Sequence, residues 1–418
     1  MKVLWFTTSS SIHKSDICNP YNGESWVSSL EHVISTKPDI ELAIAFFHPS
    51  RTEKTRHGNT VYYPMLKQKG SSLKKLYNNW TSKIESEDEI EKYLTVINDF
   101  KPDLIQIFGT EGHFASLQNK ISIPIVVHIQ GIMNSCLNAW YPPGMNGFDD
   151  FFLGSKFMNI LKANNKWFDN RRVKKQAIRE RSYFLTLKNV MGRTEWVKGI
   201  AKLLMPTANY FDVGEMLRPV FYEGKLWHPK ERSLVKIISV ISSSTYKGMD
   251  QILKTAALLK NVSDADFEWN VCGVSAKDPL VKLMERKYRL IYNSNNINFL
   301  GTVLPEKIVE LLLDSDVFVH PSYIETSCIS IAEAQITGVP TIVCYVGGLT
   351  TTVENNVTGI LVPTNDPYSM ATKILYLKEN KNIAAQIGLN AHNMAKNRHN
   401  KEKIFADLLN VYKKLICK

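Results

Sequence analysis

Two glutamates, Glu325 and Glu333, bracket a short run of small polar residues in the stretch VFVHPSYIETSCISIAEAQITGVPTIVCYVGG (317–348). Thr326, Ser327, Cys328, Ile329 and Ser330 lie just after the first of them, ahead of the apolar Ile331, Ala332 and Ala334. A helix starting in this run leaves its first N–H groups without intrahelical acceptors, and such groups attract an anion. Hydroxyl caps are expected from Thr326, Ser327 or Ser330. The N–H groups of residues 326–330 suit a diphosphate, Glu325 suits sugar hydroxyls, and Glu333, about two turns on, suits the diol of a ribose. Glu333 could also be a solvated helix position. Its apolar neighbours make an unpaired carboxylate costly there, which favours the functional reading.

Other residues of this kind sit at the ends of short apolar runs. Lys247 precedes Gly248 in SVISSSTYKGMD (239–250), where it can meet an anion or remain solvated at a helix start. Ser242, Ser243 and Ser244 offer uncharged donors beside it. His128 ends PIVVHIQG, Glu111 and His113 follow DLIQIFG, and Arg193 ends FLTLKNVMGR. Gly23 precedes a helix in NGESWVSSL, Gly273 ends FEWNVCG, and Val303 follows NINFLG. In a parallel sheet such strand ends are where ligands bind, although each glycine can equally make a plain turn.

The elements that must position these residues alternate between short β-branched runs and longer amphipathic stretches. KVLWFTT is followed by SWVSSLEHVI, and VKIISVIS by MDQILKTAALLK. This is the rhythm of βαβ units on parallel sheets, and it predicts an α/β chain with two doubly wound domains. The joint falls in MLRPVFYEGKLWHPKER (216–232), so the expected domains are 1–215 and 216–395, with a terminal helix at about 396–418 packing back.

A chain of 418 residues is long enough for two cores. Its six cysteines show no metal-ligand spacing and read as reduced thiols, which points to the cytoplasm. The first ten residues are too polar for a signal peptide, and no apolar run is long enough to span a membrane. The net charge of +11 concentrates around Lys67–Lys75 and Lys166–Arg181, without a nucleic-acid-binding signature. Leu73, Leu76, Tyr77 and Trp80 share one helical face beside Lys74 and Lys75, which suits either an ordinary packed helix or an anionic bilayer. Trp167 and Phe168 could pack internally or enter headgroups. Asp264-Ala-Asp266 and Asp314-Ser-Asp316 precede strands, at the sheet edge away from ligands, so neither is expected to hold a metal.

HPSYIE-x7-E, GVPTIVCYVGG and VTGILVP together resemble the signature of retaining glycosyltransferases of family 4 (group 1 glycosyl transferases), most strongly from about 235 to 370. The resemblance implies a GT-B fold, two Rossmann-like domains facing across a cleft. It also implies a hexosyltransferase that needs no essential metal or other cofactor, with a nucleotide diphosphate sugar as co-substrate. Glu325 would position the transferred sugar, Glu333 would hold the ribose, and Lys247 the diphosphate. Thr326, Ser327, Cys328, Ile329 and Ser330 would line the phosphates, with Gly273 and Val303 facing the base. Gly23 would approach a phosphate, His128 would point toward the transferred sugar, and Glu111, His113 and Arg193 would face the acceptor.

Three positions depart from the family pattern. Ser242 or Ile241 stands where an arginine is expected, Glu24 where a second glycine is common, and Leu349 to Thr352 where relatives often have Pro-Glu. The resemblance further implies synthesis of a cell-surface polysaccharide or glycolipid from a lipid-linked or saccharide acceptor, by a cytoplasmic enzyme peripheral on the inner membrane face. A nucleotide-sugar 2-epimerase and a non-catalytic sugar-nucleotide binding subunit share the expected architecture and remain open.

Overall fold

The computed structural model describes residues 1–8, 26–66, 71–85, 89–153, 157–263 and 266–417. Its strands form two sheets. The first contains β1 (Lys2–Phe6), β2 (Glu41–His48), β3 (Thr55–His57), β4 (Thr60–Leu66), β5 (Leu104–Phe108), β6 (Ile125–His128), β7 (Asn189–Gly192) and β8 (Asn209–Asp212). Their order is β3-β4-β2-β1-β5-β6-β7-β8, parallel except for the β3–β4 hairpin. The second contains β9 (Val235–Val240), β10 (Phe267–Cys272), β11 (Ile297–Gly301), β12 (Val317–His320), β13 (Thr341–Cys344) and β14 (Ile360–Val362), in the parallel order β11-β10-β9-β12-β13-β14.

Helices cover both faces of such sheets, so the central strands must be apolar throughout. LIQIF of β5, VFVH of β12 and TIVC of β13 are buried at every position. Each sheet organises its own hydrophobic cluster, as a chain of this length requires. In the second sheet β9 pairs with β10 on one side and β12 on the other, with Ile238 opposite Phe318. The strand order reverses there, so the loops leaving β9 and β12 emerge as neighbours, at the place where open α/β sheets bind ligands.

Two compact units divide the chain as 1–137, 171–216 and 399–418 against 138–170 and 217–398. Residues 138–170, expected within an N-terminal domain of 1–215, belong to the second unit. The helix Lys166–Phe184 begins in that unit and continues in the first. It also absorbs the start of FLTLKNVMG, whose strand is confined to Asn189–Gly192, because Leu187 N–H still bonds the carbonyl of Tyr183. Trp167 and Phe168 pack internally: Phe168 is fully buried, and the Trp167 ring meets Phe151 and Phe168 edge-on. Of the two acidic pairs, Asp264 lies outside the described residues. Asp314 and Asp316 precede β12 and are bound by Arg232, with Asp314 also bound by Lys236.

The terminal helix Lys401–Ile416 belongs to the first unit and is tied into its core by a buried tyrosine. Tyr412 Oη accepts a 2.9 Å bond from Trp5 Nε1 and donates to Gln106 Oε1. Removing this hydroxyl strands two buried polar groups, which costs about 1–3 kcal/mol. Tyr412→Phe is therefore expected to lower the urea midpoint of the first unit without changing the denaturant slope.

Candidate functional site

The loops leaving β9 and β12 are fastened together by their backbones. Gly248 adopts φ +76°, and a Cβ there would stand 2.0 Å from the Pro321 carbonyl oxygen. Tyr323 N–H bonds the Tyr246 carbonyl at 2.8 Å, and Gln251 Nε2 bonds the Pro321 carbonyl at 2.7 Å. Farther along, Gly347 takes φ +46°, where any side chain would strike the Glu325 carbonyl oxygen at 2.1 Å, and Gly348 N–H bonds that same oxygen at 2.9 Å. The backbone of Glu325 is thus fixed before its side chain makes any contact.

That side chain lies in a charged cluster. Glu325 Oε1 is 2.6 Å from Lys247 Nζ and 2.8 Å from His320 Nε2. Burial alone would raise the carboxyl pKa, but the Lys247 ammonium and His320 outweigh it and hold the group at about 2. Desolvation disfavours the Lys247 charge, yet Glu325 more than compensates and its pKa is raised. His320 is likewise opposed by burial and raised to about 9 by Cys328 and Glu325. At neutral pH the cluster is one carboxylate between two cations. The helix Ile329–Thr337 begins beside it, so the first-turn N–H groups add positive potential at the same place.

The N-cap of that helix is Cys328, without a side-chain capping bond, rather than one of the expected hydroxyls. Ser330 Oγ bonds the Val240 carbonyl at 3.2 Å, a pull toward β9 that draws it away from a capping role. Thr326 is buried, and Ser327 and Ile329 are partly exposed around the helix start. On the other side, Gly273 N–H bonds the Gly301 carbonyl at 2.7 Å, which brings the ends of β10 and β11 together next to a buried Val303. The three serines are not equivalent: Ser243 Oγ bonds Asp278 Oδ1 at 2.9 Å, while Ser242 and Ser244 stay beside each other.

Glu333 is almost fully buried, and Arg218 grips it in a two-pronged pair, Nε to Oε1 at 2.7 Å and Nη2 to Oε2 at 2.8 Å. Arg218 lies 115 residues upstream, in the segment read as a joint, so no local pattern could have announced it. His320 and Cys328 were likewise missed as members of the Glu325 cluster, although both lie within the motif. Lys166 is a third omission. Its ammonium bonds the Ser243 carbonyl at 2.6 Å, and with Ser243 and Asp278 it lines a cavity of about 330 Å³.

In the first unit, Gly23 lies outside the described residues. His128 does not face an open space. It is fully buried, edge-on to Trp26 at 5.0 Å and stacked on Phe108, and among the described residues neither ring nitrogen has a side-chain hydrogen-bond partner. Trp26 is held over the end of β6 by a 3.0 Å bond to Gln130 Oε1, which a strand-end pattern cannot reveal. Burial pushes the His128 pKa well below its usual value, so the ring is neutral. Arg193 is engaged too, 2.8 Å from Glu215 and bonded to the Ile129 carbonyl. His113 is buried at the turn, where its Nδ1 lies 3.2 Å from Ser116 Oγ. Glu111 is partly exposed, its carboxylate lying against Gly109 and Gly131. Burial first, and then Glu180, raises its pKa to about 7, which suits a residue that trades a proton near neutrality.

Two outcomes follow from the buried charges. Arg218→Met should destabilise the second unit by about 3–5 kcal/mol, and the double variant Arg218→Met/Glu333→Met should recover most of that loss in chemical unfolding. The raised His320 pKa stabilises the fold below pH 6.5, and this contribution is lost as pH rises through about 9. The lowered Glu325 pKa stabilises above pH 4.5, a contribution lost as pH falls through about 2. Thermal midpoints should therefore fall between pH 6.5 and 9, and Glu325→Gln should flatten that decline.

Comparison with known proteins places this geometry. Residues 228–394 match the family described as "Glycosyl transferases group 1". The D-inositol 3-phosphate glycosyltransferase of Corynebacterium diphtheriae is 30% identical over 154 residues, which is 36% of this chain and 36% of that protein. The chain matches only about a third of the length of its curated relatives of this kind. Among solved structures, sucrose-phosphate synthase from Thermosynechococcus elongatus superposes with a TM-score of 0.73 at 14% identity, covering 100% of this chain and 99% of that one. HepE of Anabaena, solved in complex with UDP-glucose, gives 0.65 at 15% identity, covering 99% and 100%. At these identities the likeness is one of fold, and that fold is the expected GT-B architecture. The matched segment, which contains Glu325 and Glu333, is similar to the group 1 glycosyltransferase family over about two fifths of the chain.

Proposed function

We propose that the protein is a glycosyltransferase that moves a sugar from a nucleotide diphosphate sugar, bound by the second unit, to an acceptor received by the first. The observation that carries this reading is the ionised Glu325 between Lys247 and His320 at the start of the helix Ile329–Thr337. A carboxylate fixed in this way accepts hydrogen bonds from sugar hydroxyls, while Lys247 and the helix N–H groups bear the charge of a diphosphate. The domain match at residues 228–394 and the UDP-glucose held by HepE support the choice of donor.

The reaction retains the anomeric configuration. The bond from the anomeric carbon to the diphosphate oxygen breaks, the acceptor oxygen bonds that carbon on the same face, and the acceptor proton passes to the departing diphosphate. Lys247 and the helix N-terminus stabilise the charge that develops on the leaving group. Lys166, next to Ser243, supplies the second counter-charge that Ser242 cannot. Glu111 is the acceptor-facing carboxyl group. Glu333, oriented by Arg218, is assigned to the ribose through the lone pairs that the guanidinium leaves. No essential metal takes part, and the mechanism assigns no role to the buried His128.

Turnover of a panel of nucleotide diphosphate sugars by the purified protein tests the proposal. Glu325→Gln should lower kcat roughly 100-fold, Lys166→Ala should raise the donor KM, and a chelator should leave the rate unchanged. Glu333→Gln leaves the buried Arg218 charge unpaired and should lower the thermal midpoint; measured well below that midpoint it should also weaken donor binding, and an unchanged donor affinity would make the residue structural. An inverted product anomer overturns the mechanism, and release of an epimer without transfer identifies a 2-epimerase instead.

The acceptor is lipid-linked in this reading, and the enzyme works at the cytoplasmic face of a membrane in building a surface glycan. The helix Ser72–Trp80 buries none of its residues, with Leu73 and Tyr77 exposed by 79% and 67%. The second basic segment meets it: Lys175 Nζ bonds the Thr81 carbonyl at 2.6 Å, and Arg179 pairs with Glu85 at 3.1 Å. An apolar face flanked by lysines suits an anionic bilayer, and among the described residues no helix is long and apolar enough to cross one. Vesicle flotation should show salt-sensitive recovery with anionic lipid, reduced by Leu73→Glu/Tyr77→Glu. Equal recovery with neutral lipid would leave a soluble saccharide as acceptor.

A further inference from the structure

Side chains of zinc-ligand type meet where β12 passes into the helix Ile329–Thr337. His320, Glu325 and Cys328 each direct one donor atom into a space where all three atoms lie within 4.8 Å of one another. His320 Nε2 is the common point, 2.8 Å from Glu325 Oε1, 3.4 Å from Cys328 Sγ and 2.9 Å from Ser322 Oγ. Tetrahedral zinc with bonds of about 2.0–2.3 Å separates its ligands by roughly 3.3–3.7 Å. The imidazole–thiol distance already falls in this range, and the imidazole–carboxylate distance needs to widen by only about half an ångström. The residues sit on a strand end, a loop whose Glu325 carbonyl is held by Gly348 N–H, and a helix N-cap, so the three donors are brought together by the fold before any cation arrives.

We propose that His320, Glu325 and Cys328 form a binding site for a thiophilic divalent cation of the zinc class, with water completing the coordination. One sulfur, one nitrogen and one oxygen donor select zinc or cadmium over magnesium or calcium, which take oxygen ligands. Entry has a cost. The Lys247 ammonium, 2.6 Å from Glu325 Oε1, must swing away, and the thiol and imidazolium protons pass to solvent as their lone pairs turn to the metal. Lys247 is partly exposed and has a flexible stem, so the exchange is reversible and distinguishes this site from a structural zinc centre. Occupancy detaches Glu325 from Lys247 and would switch sugar transfer off. That consequence rests on the glycosyltransferase reading, whereas the binding itself does not.

Titration of the whole protein with Cd²⁺ tests the binding directly through the ultraviolet charge-transfer band of a cadmium–thiolate bond. A saturable band is expected that survives excess Mg²⁺, is displaced by Zn²⁺, persists in Cys417→Ser and is lost in Cys328→Ser. Glu325→Gln should keep the band but need at least about tenfold more cadmium. A band that persists in Cys328→Ser, or an unchanged affinity in Glu325→Gln, overturns the proposal. Competition between Zn²⁺ and a nucleotide diphosphate sugar is read separately: a metal site that ignores the donor would stand while the donor-site reading fell.

Discussion

The Glu325 carboxylate is the point around which the buried charges of the second unit are arranged. A buried anion persists only where cations lie close enough to offset lost hydration. Lys247 arrives from the loop after β9 and His320 from the end of β12, and both meet the same oxygen. Because β9 and β12 are direct neighbours, the charges converge without a long excursion by either loop. The glycines at 248 and 347 then let backbone pass where a side chain would collide, so the cluster is held by covalent geometry as well as by charge.

Arg218 and Glu333 show a second use of buried charge. Their pair joins the segment entering the second unit to the middle of the helix that carries Glu325 at its mouth. Both side chains are nearly inaccessible, so the pair fixes the helix against the 3-10 turn Pro219–Phe221 at a desolvation cost that hydrophobic residues would not incur.

The first unit has a different character. Its strand ends are closed by side chains: Trp26 covers His128, Glu215 engages Arg193, and Glu180 accepts bonds from Thr110, Met133 and Asn134. Glu111 remains partly exposed among them, with a pKa moved toward neutrality by its surroundings. The helix Ser72–Trp80 of this unit buries none of its residues and exposes Leu73 and Tyr77.

Much of the architecture was written in local pattern. Apolar runs such as LIQIF and VFVH had to become buried strands, and the amphipathic stretches between them had to cover the sheets, because period and hydrophobicity alone settle those choices. The Glu325 to Glu333 stretch was legible for the same reason, since its strand, loop and helix are consecutive in sequence. Tertiary structure decided what depended on distant partners. It brought Arg218 to Glu333 and Lys166 to Ser243, hid His128 beneath Trp26, gave residues 138–170 to the second unit, and gathered His320 and Cys328 around one carboxylate oxygen. Sequence spacing fixes which residues share a strand or a helix face, but burial and charge pairing arise only when separate elements pack, and those two quantities determine which polar side chains remain available for chemistry.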